Sequence, residues 1–164
     1  MAYFGPEVEF FIFDSVLFQA SSEQCFYEIH SDEMPSSNSY RQEHNHGHRP
    51  SSKGGYFPVS PTDAHHDLRT DILHHMGEIG LKVEKHHHEV APAQHEIGIA
   101  FDNLLRCADQ IQIYKYVVRN VAHKYGKTAT FMPKPLVGDN GSGMHVHQSI
   151  WNLDVVGVSG WRHP

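Results

Sequence analysis

Cysteine is scarce in this chain: Cys25 and Cys107 are the only two, and they lie far apart. Two are too few for a disulfide framework. Both are expected as reduced, partly buried thiols, following the burial habit of free cysteine. Excess positive charge is also lacking. Thirteen Lys and Arg stand against 19 Asp and Glu, a formal net charge of −6. That balance argues against a nucleic-acid partner, which would favour a basic face. No apolar run approaches the ~20 residues that span a bilayer, and no signal-peptide pattern opens the chain. A cytoplasmic protein without a membrane partner is expected. Internal repeats and a linker that would split the chain are missing too, so one domain is expected.

What is present is ordinary, with one exception. The 164 residues are 39% hydrophobic and 20% charged, which suits a folded domain with a real core rather than disorder. The exception is 16 histidines. Such an excess marks metal chemistry, drift on the surface, or both.

Residues 3–14 read as a strand. Glu7 and Glu9 alternate with Val8 and Phe10, so the two carboxylates share one face. Phe10, Phe11, Ile12 and Phe13 suit a strand covered on both sides. Residues 19–55, rich in Ser, Asn, His and Gly, read mostly as loop, with short strands near 25–29 at most. A helix is expected next, with Ser60 as cap, Pro61 in the first turn and Asp63 at the positive end of the dipole. Its apolar face is Leu68, Ile72, Met76 and Ile79, and Gly80 ends it. Residues 81–90 read as a strand. A second helix spans 102–124, with Leu104, Ala108, Ile111, Tyr114, Val118 and Val121 on one stripe and Gly126 as its stop. Short strands follow at 128–132 and 142–151. The order lacks strict βαβ alternation, so the expected class is α+β: a mixed or antiparallel sheet with helices on one face.

Three separated segments offer metal ligands at strand spacing: Glu7 and Glu9; Glu84 to Glu89 with Gln94, His95 and Glu96; and His145, His147 and Ser149. Ligands two apart project to the same side. His87 and Glu89 therefore share a face, and Glu84, His86 and His88 the other. Like charges on a covered strand need a cation between them or a proton on one. Carboxylates with a single imidazole favour Mg²⁺ or Mn²⁺ over Zn²⁺. Pattern alone leaves a solvated strand face open for Glu7 and Glu9, and surface decoration open for His86, His87 and His88. His44, His46, His48, His65, His66, His74, His75 and His123 are expected on the surface or in loops. Gly141 and Gly143 let backbone approach a ligand closely, so the Asp139–Gly143 loop suits an amino-acid carboxylate or a phosphate.

Together these segments resemble the glutamine synthetases, in pattern the bacterial type I enzyme. Gly5-Pro6-Glu7-Val8-Glu9 resembles that family's first metal strand, and Lys53-Gly54-Gly55-Tyr56-Phe57-Pro58 its loop ahead of a helix. The run from Val83 to Glu96 resembles the central metal and nucleotide segment. Lys134-Pro135 and the run from Asn140 to Ser149 resemble the glutamate and second-metal segment. The resemblance implies a partial catalytic domain of the glutamine synthetase/guanido kinase-like fold over residues 1–151. It implies an ATP-dependent ligase that joins glutamate and ammonia through γ-glutamyl phosphate. Glu9, Glu89 and Glu96 would hold one Mg²⁺ or Mn²⁺, and Glu7 and His145 another. Glu84, His87, Phe101, His147 and Ser149 would meet ATP. Asn140 and Gly141 would hold glutamate, and His145 would also serve phosphoryl transfer. Full-length relatives are expected as homo-oligomeric double rings with active sites between subunits.

Some family features have no match here. These are the N-terminal β-grasp domain, the later phosphate-clamping arginines, the third protein ligand of the second metal, the acidic residue of the closing loop, and the adenylylated tyrosine. Residues 152–164 depart from the family and read as a truncated or frame-shifted end, with no function expected for Trp161 or Arg162. Inactivity is expected of the chain alone. Two other readings stay open: another carboxylate–amine ligase of the family, and a non-catalytic His-rich metal-binding module.

Overall fold

The computed structural model describes residues 1–34 and 47–152. Its organising element is the twelve-residue strand β1, Ala2–Phe13. Strict alternation gives β1 two different faces. Val8, Phe10 and Ile12 are buried in the main core, against Leu68, Ile72 and Met76 of α1 (His66–Glu78) and Ile111, Tyr114, Val118 and Val121 of α2 (Leu104–Lys124). The other face carries Glu7 and Glu9 and then Phe11 and Phe13, which pack on Met34, Ala91 and Ala93. Both helices thus cover one side of the sheet and leave the carboxylate side free of them.

The remaining strands are β2 (Ser15–Ala20), β3 (Cys25–His30), β4 (Val83–His88), β5 (Gln94–Ile99), β6 (Asp102–Asn103), β7 (Thr128–Thr130) and β8 (Met144–Ile150). β1 pairs antiparallel with β5, β6, β7 and β8, and β5 pairs antiparallel with β4. The sheet is antiparallel throughout, and the α+β expectation holds. Tyr114 ties α2 to the strand by donating its hydroxyl to the Val8 carbonyl at 3.0 Å.

Several sequence expectations need correction. The short strand expected near 25–29 is β3, but its partner β2, in a hairpin whose side chains are largely solvent-exposed, was not expected. It was hard to see because neither strand has a buried face to impose alternation. β5 was not expected at all: every one of its residues is buried, so the polar–apolar period that marks a strand is absent. The first helix starts at His66 rather than Ser60, and His65 caps it without a side-chain hydrogen bond. Asp63 is drawn away from the dipole by Arg69, whose Nη1 donates to Oδ1 at 2.9 Å while Nη2 pairs with Oδ2. Ile79 and Leu104 are exposed, because each lies at a helix end beyond the covered turns. His65 is buried, not superficial. Cys107 is buried but Cys25 is exposed on the hairpin. His44, His46 and nearly all of the 152–164 tail fall outside the described residues.

Candidate functional site

The β-sheet register builds the site. Glu96 of β5 stands directly opposite Glu9 of β1 and directly opposite His87 of β4. Glu7, two residues along β1, stands opposite His145 of β8. Paired residues in an antiparallel sheet share a face, so four strands deliver these groups to one surface. They line a single pocket of about 260 Å³, with Glu7, Glu9, Tyr56, Lys85, His87, Glu89, Glu96 and His145 in its wall.

Within it, one ligand atom each from His87, Glu89 and Glu96 lie inside 4.8 Å of one another. His87 Nε2 is 3.0 Å from Glu89 Oε1 and 3.7 Å from Glu96 Oε2. Phe57 stacks on the His87 ring, centroids 4.2 Å apart, and fixes its plane. Glu9 is fixed from behind: its Oε2 accepts from Gln94 Nε2 at 2.7 Å and from the Gly143 amide at 3.0 Å. Burial raises the pKa of Glu96, and Glu7 and Glu89 add to the rise while His87 opposes it. Crowded carboxylates in a half-dry pocket are the arrangement a divalent cation relieves. The donors are oxygens with a minority of imidazole nitrogen, which fits Mg²⁺ or Mn²⁺.

The groups expected at the nucleotide lie one step further along β1. Gly5 has no side chain, and a Cβ there would meet Phe101 Cβ at 3.4 Å and His147 Cβ at 3.8 Å. Phe101 is exposed and meets Tyr3 edge-on at 5.7 Å. His147 Nε2 reaches Glu7 Oε1 at 3.2 Å. Ser149 Oγ accepts from Trp151 Nε1 at 3.0 Å. Glu84 is exposed at the bulge in β4 and does not line the pocket. The glutamate-loop residues sit at the opposite side of Glu9. Asn140 Oδ1 accepts from Lys53 Nζ at 3.0 Å, and the Gly141 carbonyl accepts from Gln94 Nε2 at 2.9 Å. A Cβ on Gly141 would meet the Pro133 carbonyl at 2.2 Å, so the position demands glycine.

Comparisons with known proteins show the family. The family model for the glutamine synthetase catalytic domain matches residues 1–157. The chain belongs to that family. The glutamine synthetase of Azospirillum brasilense is 61% identical over 151 residues, which are 92% of this chain and 32% of that protein. The 3-hydroxylaminophenol mutase of Cupriavidus pinatubonensis is 57% identical over 152 residues, again 92% and 32%. The cryoEM structure of Plasmodium falciparum glutamine synthetase aligns with a TM-score of 0.85 at 31% identity, covering 93% of this chain and 30% of that one. The chain therefore spans about a third of the length of the curated relatives it matches.

Against the glutamine synthetase resemblance, Glu7, Glu9, His87, Glu89, Glu96 and His145 meet in the pocket. Phe101, His147 and Ser149 gather beside it, and Asn140 and Gly141 flank it. Sequence reasoning missed Lys85 and Tyr56, and it named Gln94 only within a ligand segment, not as the group that holds Glu9. Lys85 precedes His87 by two and Gln94 precedes Glu96 by two, so strand parity was a usable signal for both. Tyr56 comes from a loop, where no periodicity points to it.

Proposed function

We propose that this chain supplies the cation and nucleotide side of the active site of an ATP-dependent glutamate–ammonia ligase. The observation that carries the reading is the convergence of Glu7, Glu9, Glu96, His87 and His145 from four strands, with Glu89 from the turn after β4, on one pocket, in a chain of the glutamine synthetase family.

In the proposed reaction a side-chain carboxylate oxygen of glutamate attacks the γ-phosphorus of ATP, and the bond to the ADP oxygen breaks. Ammonia then attacks the acyl carbon of γ-glutamyl phosphate. Inorganic phosphate leaves, and the nitrogen gives up a proton to yield glutamine. Glu9, Glu89 and Glu96 would hold one Mg²⁺ or Mn²⁺, and Glu7 with His145 a second. Bound cations neutralise phosphate oxygens and align them for in-line transfer. Glu84, His147, Ser149, Phe101 and His87 receive the nucleotide in this reading, with the exposed Phe101 face available for stacking. The Asn140 amide and the Gly141 backbone orient glutamate, and His145 stands at the phosphoryl group.

One feature supports weak synthesis by the chain on its own. The described lining of the pocket has one lysine and no arginine, and single groups that stabilise transition-state charge are worth about 3 kcal/mol. Assembly as a homo-oligomer, cytoplasmic location and residues 1–151 as the catalytic portion belong to the same proposal. Among the described residues no helix is long and apolar enough to cross a membrane.

Equilibrium dialysis with labelled ATP tests the reading. ATP should be retained only with Mn²⁺ or Mg²⁺, and Glu7→Gln or His147→Ala should release it. Retention that ignores both the cation and these substitutions would contradict the assignment.

A further inference from the structure

Behind the carboxylate pocket, on the helix side of the same sheet, lies a second polar cluster: Glu33, Asp63, His65, Arg69, His88 and His95, all buried. Glu33 comes from the turn after β3, remote in sequence from the pocket. Its Oε2 accepts from the Ala93 amide at 2.7 Å and sits 2.7 Å from His88 Nε2. Those two contacts fall at the two ends of the turn that joins β4 to β5. Glu89 lies inside that turn and Gln94 immediately after it. Gln94 in turn holds Glu9 through Nε2.

The turn has hydrogen bonds of its own, from the Glu89 amide to the Gln94 carbonyl at 2.7 Å and from the Ala91 amide to Gln94 Oε1 at 3.0 Å, but its Ala93 amide is held from outside, by Glu33. Ala93 has φ 61°, a left-handed conformation that favours glycine. Such a residue persists when its surroundings over-determine it, and here the surrounding group is a carboxylate that is 2% exposed. His88 extends the grip: its Nδ1 faces the Gly55 carbonyl at 2.8 Å and the Glu89 carbonyl at 2.6 Å. Gly55 belongs to the loop that brings Tyr56 to the pocket wall and Phe57 onto His87. Glu33 Oε1 makes no hydrogen bond but lies 3.6 Å from His65 Nδ1, within ion-pair reach of that buried ring. A carboxylate buried at this cost, with one oxygen facing His65 and the other on two hydrogen-bonding contacts, is placed for those contacts rather than for general packing.

We propose that Glu33 is a positioning residue of the cation site. It clamps both ends of the 88–93 turn and so sets the direction of Glu89 and, through Gln94, of Glu9. The proposal rests on the reading that these carboxylates bind a divalent cation. Glu33 touches no ligand; it acts through Ala93 and His88, as groups behind metal ligands do when they orient them.

The test is Mn²⁺ binding followed by electron spin resonance, with backbone amide exchange on the same proteins. Glu33→Ala should weaken Mn²⁺ binding about 10–100-fold. Glu33→Gln keeps an acceptor oxygen for the Ala93 amide and should recover most of that loss. Val121→Ala, a cavity in the α2 core, should lower the melting temperature and leave Mn²⁺ affinity alone. Wild-type affinity in Glu33→Ala, or an equal loss in Val121→Ala, would overturn the proposal. Should the wild-type chain bind no Mn²⁺, the cation reading itself fails. Amide exchange then decides the clamp: the Glu89, Ala93 and Gln94 amides must exchange faster in Glu33→Ala than in Val121→Ala, and equal exchange refutes it.

Discussion

Glu9 and Glu96 are direct cross-strand partners, two carboxylates set face to face across the β1–β5 pair. Like charges in that relation destabilise a sheet by about 0.2–1 kcal/mol. Burial and the nearby Glu7 and Glu89 already favour the protonated form of Glu96. Glu96→Gln should therefore raise the melting temperature of the cation-free chain. It should also abolish the further rise that Mn²⁺ gives the wild type. Thermal scans with and without Mn²⁺ read both effects, and a cation-free protein that is less stable than wild type would count against the account.

Gln94 connects three parts of the site. Its Nε2 donates to Glu9 and to the Gly141 carbonyl, and its Oε1 accepts from the Ala91 amide at 3.0 Å. The side chain is 1% exposed, so its removal leaves partners without replacement water. Gln94→Ala should cost about 1–3 kcal/mol in denaturant unfolding and weaken Mn²⁺ binding. Gln94→Glu should be worse for the site, since it loses the donors and places another negative charge beside Glu9.

Two glycines should respond in opposite directions. A Cβ on Gly141 meets the Pro133 carbonyl at 2.2 Å, whereas one on Gly77, in the last turn of α1, meets nothing within 4 Å. Gly141→Ala should destabilise by about 1–3 kcal/mol through overpacking and displace the loop that carries Asn140. Gly77→Ala should stabilise by about 0.5–1 kcal/mol through helix propensity. Paired urea titrations measure both.

Much of the fold and site was legible in the strand parity. Glu7 and Glu9 on one face, His87 and Glu89 on another, and His145 with His147 on a third strand all follow from a period of two. The antiparallel sheet brings them to one surface. What stayed hidden was whatever lacked a contrast between faces. β5 is buried on both sides, and β2 is exposed along most of its length. Glu33 was hidden for a different reason: its role depends on a contact with Ala93, 60 residues away in sequence, which no local pattern reports. His65 read as a surface residue and His95 as part of a metal-ligand segment, because histidine composition says nothing about which rings lie behind the sheet.

The cluster behind the sheet makes a pH prediction. Burial, then Arg69, pushes His86 down to about 4. Burial first, then nearby positive groups, drives His95 well below its usual value, and burial lowers His65 against the opposing pull of Glu33. Arg69 donates from Nε to His86 Nδ1 at 3.3 Å, and its Nη1 lies 3.0 Å from His95 Nδ1, which suits neutral rings. The unfolded chain then binds more protons than the folded one between pH 6.5 and about 4, so stability falls as pH drops through that window. His88 runs the other way. Burial lowers it, but the Glu33 contact outweighs that and raises it, so its contribution is present in acid and lost as pH rises through its folded value. Three rings oppose one, and the net expectation is a melting temperature that declines from pH 7 to 4.5. His86→Gln, which keeps an acceptor for Arg69, should flatten the decline.

The central claim is that the carboxylates of β1, β5 and the 88–93 turn form a real divalent-cation site in this chain. Titration of Mn²⁺ into the purified protein, with sites counted by calorimetry, tests it against a Glu9→Gln, Glu89→Gln double variant. Saturable binding by the wild type that is lost in the double variant is the predicted result. Binding that is absent, or unchanged by the two substitutions, would contradict it.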